Sequence, residues 1–108
     1  MCGFAGFLGF DKLSTADAYA VGIDMGNRLR HRGPDDSGIW CDEPIELILV
    51  HRRLAVVDLS SAGHQPMLSP SGRFVIVFNG EVYNHKLLRD MLMLESAPAL
   101  SLDQILIP

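Results

Sequence analysis

The apolar positions of this chain change period several times, and each change marks an element. Cys2 to Gly9 is apolar, with three glycines and two phenylalanines, which suits a buried strand that another backbone approaches closely. From Thr15 to about Leu29 the period becomes helical. Ala18, Val21, Met25 and Leu29 recur at the spacing of one helix face, and Ser14 followed by Asp17 gives a capping-box start. Gly22 and Gly26 weaken that helix from within.

Gly33 to Gly38 predicts a rigid polar loop, because Pro34 pushes the residue before it out of the α region and Gly38 tolerates positive φ. Gly38 to Cys41 and Glu46 to Val57 are rich in Ile, Leu and Val, as strands buried on one or both faces are. His51, Arg52 and Arg53 interrupt the second strand, and a site and an exposed bend account for them equally well. Ser60 to Gly72 reads as a long connection. Phe74 to Phe78 is a short β-rich run ending at the hairpin dipeptide Asn79-Gly80. Asn84 then caps a helix whose apolar stripe is Leu87, Leu88, Met91 and Leu92, and from Glu95 to Pro108 the pattern dissolves.

Strand, helix, several strands and a helix predict an α+β domain, a mostly antiparallel sheet covered by helices. A length of 108 residues suits one domain, and 48% hydrophobic with 20% charged residues is a globular composition. A net charge of −4 gives no electrostatic case for nucleic acid or an anionic membrane, while small neutral or zwitterionic ligands stay open. Cys2 and Cys41 cannot build a disulfide framework, and without a CxxC pair no metal site is expected. The run Phe4 to Phe10 lacks a basic flank and is broken by Gly6 and Gly9, so it makes a poor signal peptide. No stretch approaches the roughly 18 apolar residues of a membrane span. A cytoplasmic protein is the expectation.

Cys2 carries the chemistry of most interest. Removal of Met1 would leave an N-terminal cysteine, a thiol beside a free α-amine whose unperturbed pKa of about 7.7 to 8.0 suits proton transfer near neutrality. The simpler reading is a small hydrophobe opening a strand.

Five segments lie in order along the chain: Met1 to Gly6 (MCGFAG), Arg30 to Gly38 (RHRGPDDSG), Arg53 to Leu59 (RLAVVDL), Gly63 to Met67 (GHQPM) and Asn79 to Asn84 (NGEVYN). Together, over Met1 to about Leu92, they resemble the N-terminal glutaminase domain of glutamine-hydrolysing asparagine synthetases, which are class II, N-terminal-nucleophile glutamine amidotransferases. Other class II amidotransferases share the Cys-Gly start and an Asn-Gly, but the second and third segments resemble the asparagine synthetase branch. The fold so implied is a partial Ntn-hydrolase-type sandwich, mostly antiparallel sheets with helices packed on them.

The resemblance implies a role for each matching residue. Cys2 would attack the side-chain amide of glutamine, and the Asn79 side chain with the Gly80 N–H would receive the oxyanion. Arg53 would hold the substrate carboxylate and Glu81 its ammonium. The backbone of Leu54, Ala55, Val56 and Val57 would line the pocket, with the loop from Arg32 to Asp35 lying over it. A thioester on Cys2 would be hydrolysed to glutamate without metal or organic cofactor, ATP and Mg belonging to the synthetase domain. His31, Arg52 and His64 have no derived role. A simple type I′ turn is the plain alternative for Asn79-Gly80.

The departures from the family pattern matter as well. Residues 93–108 read as an unmatched or degenerate tail, in which Asp103 stands one position away from the family's second ammonium-binding acid. Nothing resembles the Ser-Gly-Gly-x-Asp-Ser loop of the synthetase domain, so a synthetase domain or subunit in trans is the expected partner beside glutamine. Unpaired edges on Glu46 to Val57 and Phe74 to Phe78 predict a homo-oligomer or aggregation. The competing class is a catalytically inactive truncated remnant or glutamine-binding module.

Overall fold

The computed structural model describes residues 2–55 and 60–95. At its centre runs β3 (Leu47–Arg53), antiparallel to β1 (Gly3–Leu8) on one side and to β2 (Asp36–Asp42) on the other. The registers set Ala5, Val50 and Ile39 side by side, and Phe7, Ile48 and Cys41 in the next row but one. Because side chains alternate across a strand, these two rows share one face. Helix α1 (Thr15–Arg28) packs on that face, and Ile48, Val50, Phe10 and Ala18 form the buried core there.

The predicted strand from Glu46 to Val57 is shorter in the fold. Glu46 takes a φ of 55° in the β2–β3 turn, and β3 stops at Arg53, while Val56 and Val57 lie outside the described residues. β3 has a neighbour on each side. The open edges of this sheet among the described residues therefore belong to β1 and β2, not to the segment that the sequence singled out.

α1 starts as its capping signal requires, with the Asp17 N–H donating to Ser14 Oγ at 3.1 Å. The buried face differs from the predicted stripe. Ala18, Gly22 and Gly26 are buried, whereas Val21 is 41% exposed. The two glycines are the reason. A Cβ on Gly22 would stand 2.7 Å from Ile48 Cγ2 and 2.8 Å from Ile39 Cδ1, so the bare backbone lets the helix settle directly on the sheet. Close packing here outweighs the helix propensity that glycine forfeits.

After β3 the chain makes a short 3₁₀ turn at Ser61–Gly63 and a two-stranded hairpin, β4 (Met67–Leu68) with β5 (Val75–Ile76). The tight turn of that hairpin is at Ser69 to Gly72. The Gly72 N–H donates to the Ser69 carbonyl at 2.8 Å, the Ser69 N–H to the Phe74 carbonyl at 2.9 Å, and Gly72 has a φ of 72°. Asn79-Gly80 is no hairpin turn, since Gly80 is outside the positive-φ region and the chain goes on to helix α2 (His85–Glu95). The predicted run Phe74 to Phe78 contributes only two strand residues for the same reason: no partner strand follows it among the described residues. The Asn84 carbonyl accepts from Leu88 N–H at 3.1 Å and so opens α2.

Two expectations about covering helices separate here. α1 lies on the sheet, but α2 makes no extensive contact with another described element, and its Leu87 and Met91 are more than half exposed. The face of the sheet opposite α1 carries Phe4, Leu8, Leu49, Trp40 and His51 by alternation, with Leu8 73% exposed. No described helix is long and apolar enough to cross a membrane.

Candidate active site

The site begins where β1 starts and β3 ends. Gly3 is opposite Arg52, so Cys2 stands one step beyond, beside the point at which the chain turns from Arg53 into Leu54. The Leu54 N–H donates to Cys2 Sγ at 3.3 Å, and the thiol in turn points to the Leu54 carbonyl at 3.7 Å. The nucleophile candidate and the first pocket-lining candidate are thus in direct contact.

The loop between α1 and β2 is fastened to this same stretch. Arg52 Nε donates to the Gly33 carbonyl at 2.9 Å, the Asp35 N–H to the Arg53 carbonyl at 3.0 Å, and the Ala55 N–H to Asp35 Oδ2 at 2.8 Å. Arg32 lies across Gly3, where a Cβ would come within 3.3 Å of Arg32 Cδ. Gly33 has no room for any side chain, because the backbone of Arg52 and Arg53 fills the space. Arg52, without a role on the sequence alone, secures the loop.

Arg53 is only 6% exposed, unusual for an arginine at the end of a strand. Its Nη1 donates to the Ser60 carbonyl at 2.6 Å, and Gly63 packs so closely on the guanidinium that a Cβ would collide with it. Arg53, Asp35, Asp36, Ala55, Ser60, Ser61 and His64 line an open cleft of about 490 Å³. A cation and two carboxylates on its walls match the charges of a zwitterion. Cys2 does not line the cleft; it reaches it through Leu54, the chain neighbour of both Arg53 and Ala55.

His64 closes one side of the cleft, with its Nδ1–H donating to Asp36 Oδ2 at 2.6 Å. Behind it, on the sheet, His51 is 1% exposed and its Nε2 has no hydrogen-bond partner among the described residues. Burial holds the His51 pKa below its ordinary 6.5, against the smaller upward pulls of the Phe78 backbone and Asp36; His64 and Arg53 push it further down. The unfolded chain therefore takes up a proton at a pH where the folded one does not, and stability falls as the pH drops through about 6.5 towards the lower folded value. The expected result is a smaller acid-side loss of thermal stability in His51→Gln than in the wild type, read from melting curves between pH 7.5 and pH 5 (on the order of these limits). Parallel curves would refute it.

The remaining candidates are arranged differently. Asn79 is half-buried, Gly80 and Glu81 are exposed, and among the described residues no hydrogen bond joins any of them to Cys2 or Arg53. Val56, Val57 and Asp103 lie outside the described residues, as does Met1.

A family profile described as "Glutamine amidotransferase domain" matches residues 1–101. The chain belongs to the glutamine amidotransferase domain family. It is 44% identical over 92 residues to asparagine synthetase [glutamine-hydrolyzing] 2 of Arabidopsis thaliana, which covers 85% of this chain and 15% of that protein. With asparagine synthetase [glutamine-hydrolyzing] of Zea mays the identity is 43% over 89 residues, covering 82% of the chain and 14% of the relative. The chain thus spans about 15% of the length of the relatives it matches, in their N-terminal region.

Within this amidotransferase domain the sequence leaves several supporting residues without a task. Asp35 and Gln65 belong to the quoted segments and Arg52 directly precedes the third, yet only the fold shows what they hold. Gln65 is 3% exposed, and its Oε1 accepts from the Phe78 N–H at 2.7 Å. Its signal was a polar residue inside the Gly63-His64-Gln65-Pro66-Met67 segment, too short to reveal a partner thirteen positions away.

Proposed function

We propose that this amidotransferase domain hydrolyses glutamine to glutamate and ammonia through a thioester on Cys2. The contact of Cys2 Sγ with the Leu54 backbone, beside a buried Arg53 in a cleft walled by Asp35 and Asp36, is the observation that carries the reading. In this scheme Met1 is removed and the α-amine of Cys2 accepts the thiol proton as sulfur attacks the glutamine carboxamide. The tetrahedral intermediate places negative charge on oxygen, which the Asn79 amide and the Gly80 N–H receive.

Collapse transfers the proton from the α-amine to the departing nitrogen, ammonia leaves, and water then cleaves the thioester with the same amine as base. Arg53 binds the substrate carboxylate in the fork geometry that guanidinium offers, and Glu81 binds the ammonium. No metal or organic cofactor enters these steps. The backbone from Leu54 to Val57 forms the wall along the substrate side chain. Family resemblance supports these assignments, and the names of the relatives support asparagine formation as the use of the ammonia. ATP, Mg and the acceptor would then belong to a synthetase domain or subunit working with this one, and the cytoplasm is the compartment that suits a free thiol nucleophile.

The direct test is covalent trapping. The chain is incubated with a diazoketone that mimics glutamine, and its intact mass is measured. The expected product is one adduct on Cys2 in a chain that has lost Met1, blocked by excess glutamine. The apolar exposure of Leu8, Leu87 and Met91 favours a second reading, a binding module without turnover. That reading predicts glutamine binding by calorimetry with no adduct and no glutamate released.

A further inference from the structure

We infer that Gln65 is a positioning residue for the oxyanion hole, fixing the chain immediately before Asn79 and Gly80 through its bond to Phe78. The inference rests on the proposed use of those two residues as oxyanion donors. Gln65 lies in a connecting segment, where polar side chains ordinarily face water, yet it is 3% exposed. Burying a primary amide is unfavourable unless it is bonded. Its Oε1 spends that capacity on one acceptor bond of 2.7 Å, from the Phe78 N–H.

Both ends of this bond matter for the site. At one end, Gln65 is seated on β2: the space that a Cβ would take at Gly38 is filled by the Gln65 carbonyl, so the segment sits against bare sheet backbone. At the other end, the bonded Phe78 N–H lies in the rigid peptide plane shared with Val77, and only the two dihedrals of Phe78 separate that plane from the Asn79 amide. β5 has already ended at Ile76, and among the described residues the next backbone hydrogen bond is that of His85 to Val82. The segment that bears Asn79 and Gly80 is therefore held by side chains rather than by a strand ladder, and Gln65 is the one bonded to the Phe78 N–H. His51 of β3 faces the Phe78 backbone from the same side, but the bond that holds the Phe78 N–H is that of Gln65.

Gln65→Met keeps the length and apolar volume of the side chain and removes the acceptor; Gln65→Glu keeps an oxygen in the same place. In the full chain, Gln65→Met is expected to lower the kcat of glutamine hydrolysis about ten- to a hundred-fold with KM within about two-fold, since misplacing a preset donor slows chemistry more than binding. Peptide-level hydrogen exchange over residues 77–80 should speed up in the same variant, while that of β3 stays unchanged. Gln65→Glu should restore most of both. If Gln65→Met does not fold, Gln65→Asn, which withdraws the amide by one methylene, must show the same fall in kcat. An active wild type whose Gln65 variants keep their kcat overturns the inference and leaves the proposed function standing. A wild type that releases no glutamate overturns the proposed function and the positioning role with it, whatever the exchange pattern.

Discussion

Cys2→Ala is expected to lower glutamine hydrolysis at least about ten-thousand-fold, the scale of loss when a covalent nucleophile is removed, while the fold survives. The thiol has no substitute in the scheme: the α-amine of an alanine still accepts protons, but nothing is left to form the thioester. Structurally the side chain contributes little. It is half-buried, it borders no part of the α1 core, and its two sulfur contacts to Leu54 are long, so the change in stability should stay under about 1 kcal/mol. Glutamate release and thermal unfolding measured on the same preparation separate the two effects. Intact mass must first show that Met1 is absent, because a retained Met1 removes the free amine without touching the thiol. A Cys2→Ala chain that still produces glutamate at the wild-type rate would sink the nucleophile assignment.

Gly33→Ala should have the largest effect on folding. Its new Cβ would collide with the Arg52 carbonyl group and the Arg53 amide, which are strand backbone and cannot rotate away as a side chain could. Relief requires the loop to lift, breaking the Arg52 bond to the Gly33 carbonyl and the Asp35 bonds to Arg53 and Ala55. The expected cost is about 4 kcal/mol or more, a large share of the roughly 5 to 15 kcal/mol that holds an ordinary domain together. Urea unfolding followed by circular dichroism measures it. Gly72→Ala is the useful contrast, since Gly72 has φ 72° but its added Cβ would meet no described atom within 4 Å, leaving only local backbone strain. Equal midpoints for Gly33→Ala and wild type would show that the loop is not packed as described.

The sequence and the fold agree best where a local pattern has one physical meaning. The Ser14 cap of α1 and the run rich in Ile, Leu and Val that becomes β3 are of that kind, because each follows from neighbours within a few positions. They part where long-range contact decides. Gly22 and Gly26 look like helix breakers in the one-dimensional pattern and become the contact surface once Ile48 and Ile39 lie beneath them. Asn79-Gly80 looks like a hairpin turn until the chain is seen to turn at Gly72 instead, where glycine supplies the positive φ. α2 shows the reverse case: its apolar stripe is legible, but no described element covers it.

By itself the sequence determined the residue types and their order: a cysteine at position 2, an arginine and an acidic loop downstream, and five segments whose succession identifies the family. That information is local and covalent, so it survives in one dimension. Only the tertiary structure decided that Cys2 meets Leu54 across 52 positions, that Arg53 is buried beneath Gly63, and that Gln65 holds Phe78. Those contacts depend on strand register and on which backbone approaches which, and register is fixed by packing of the whole sheet against α1.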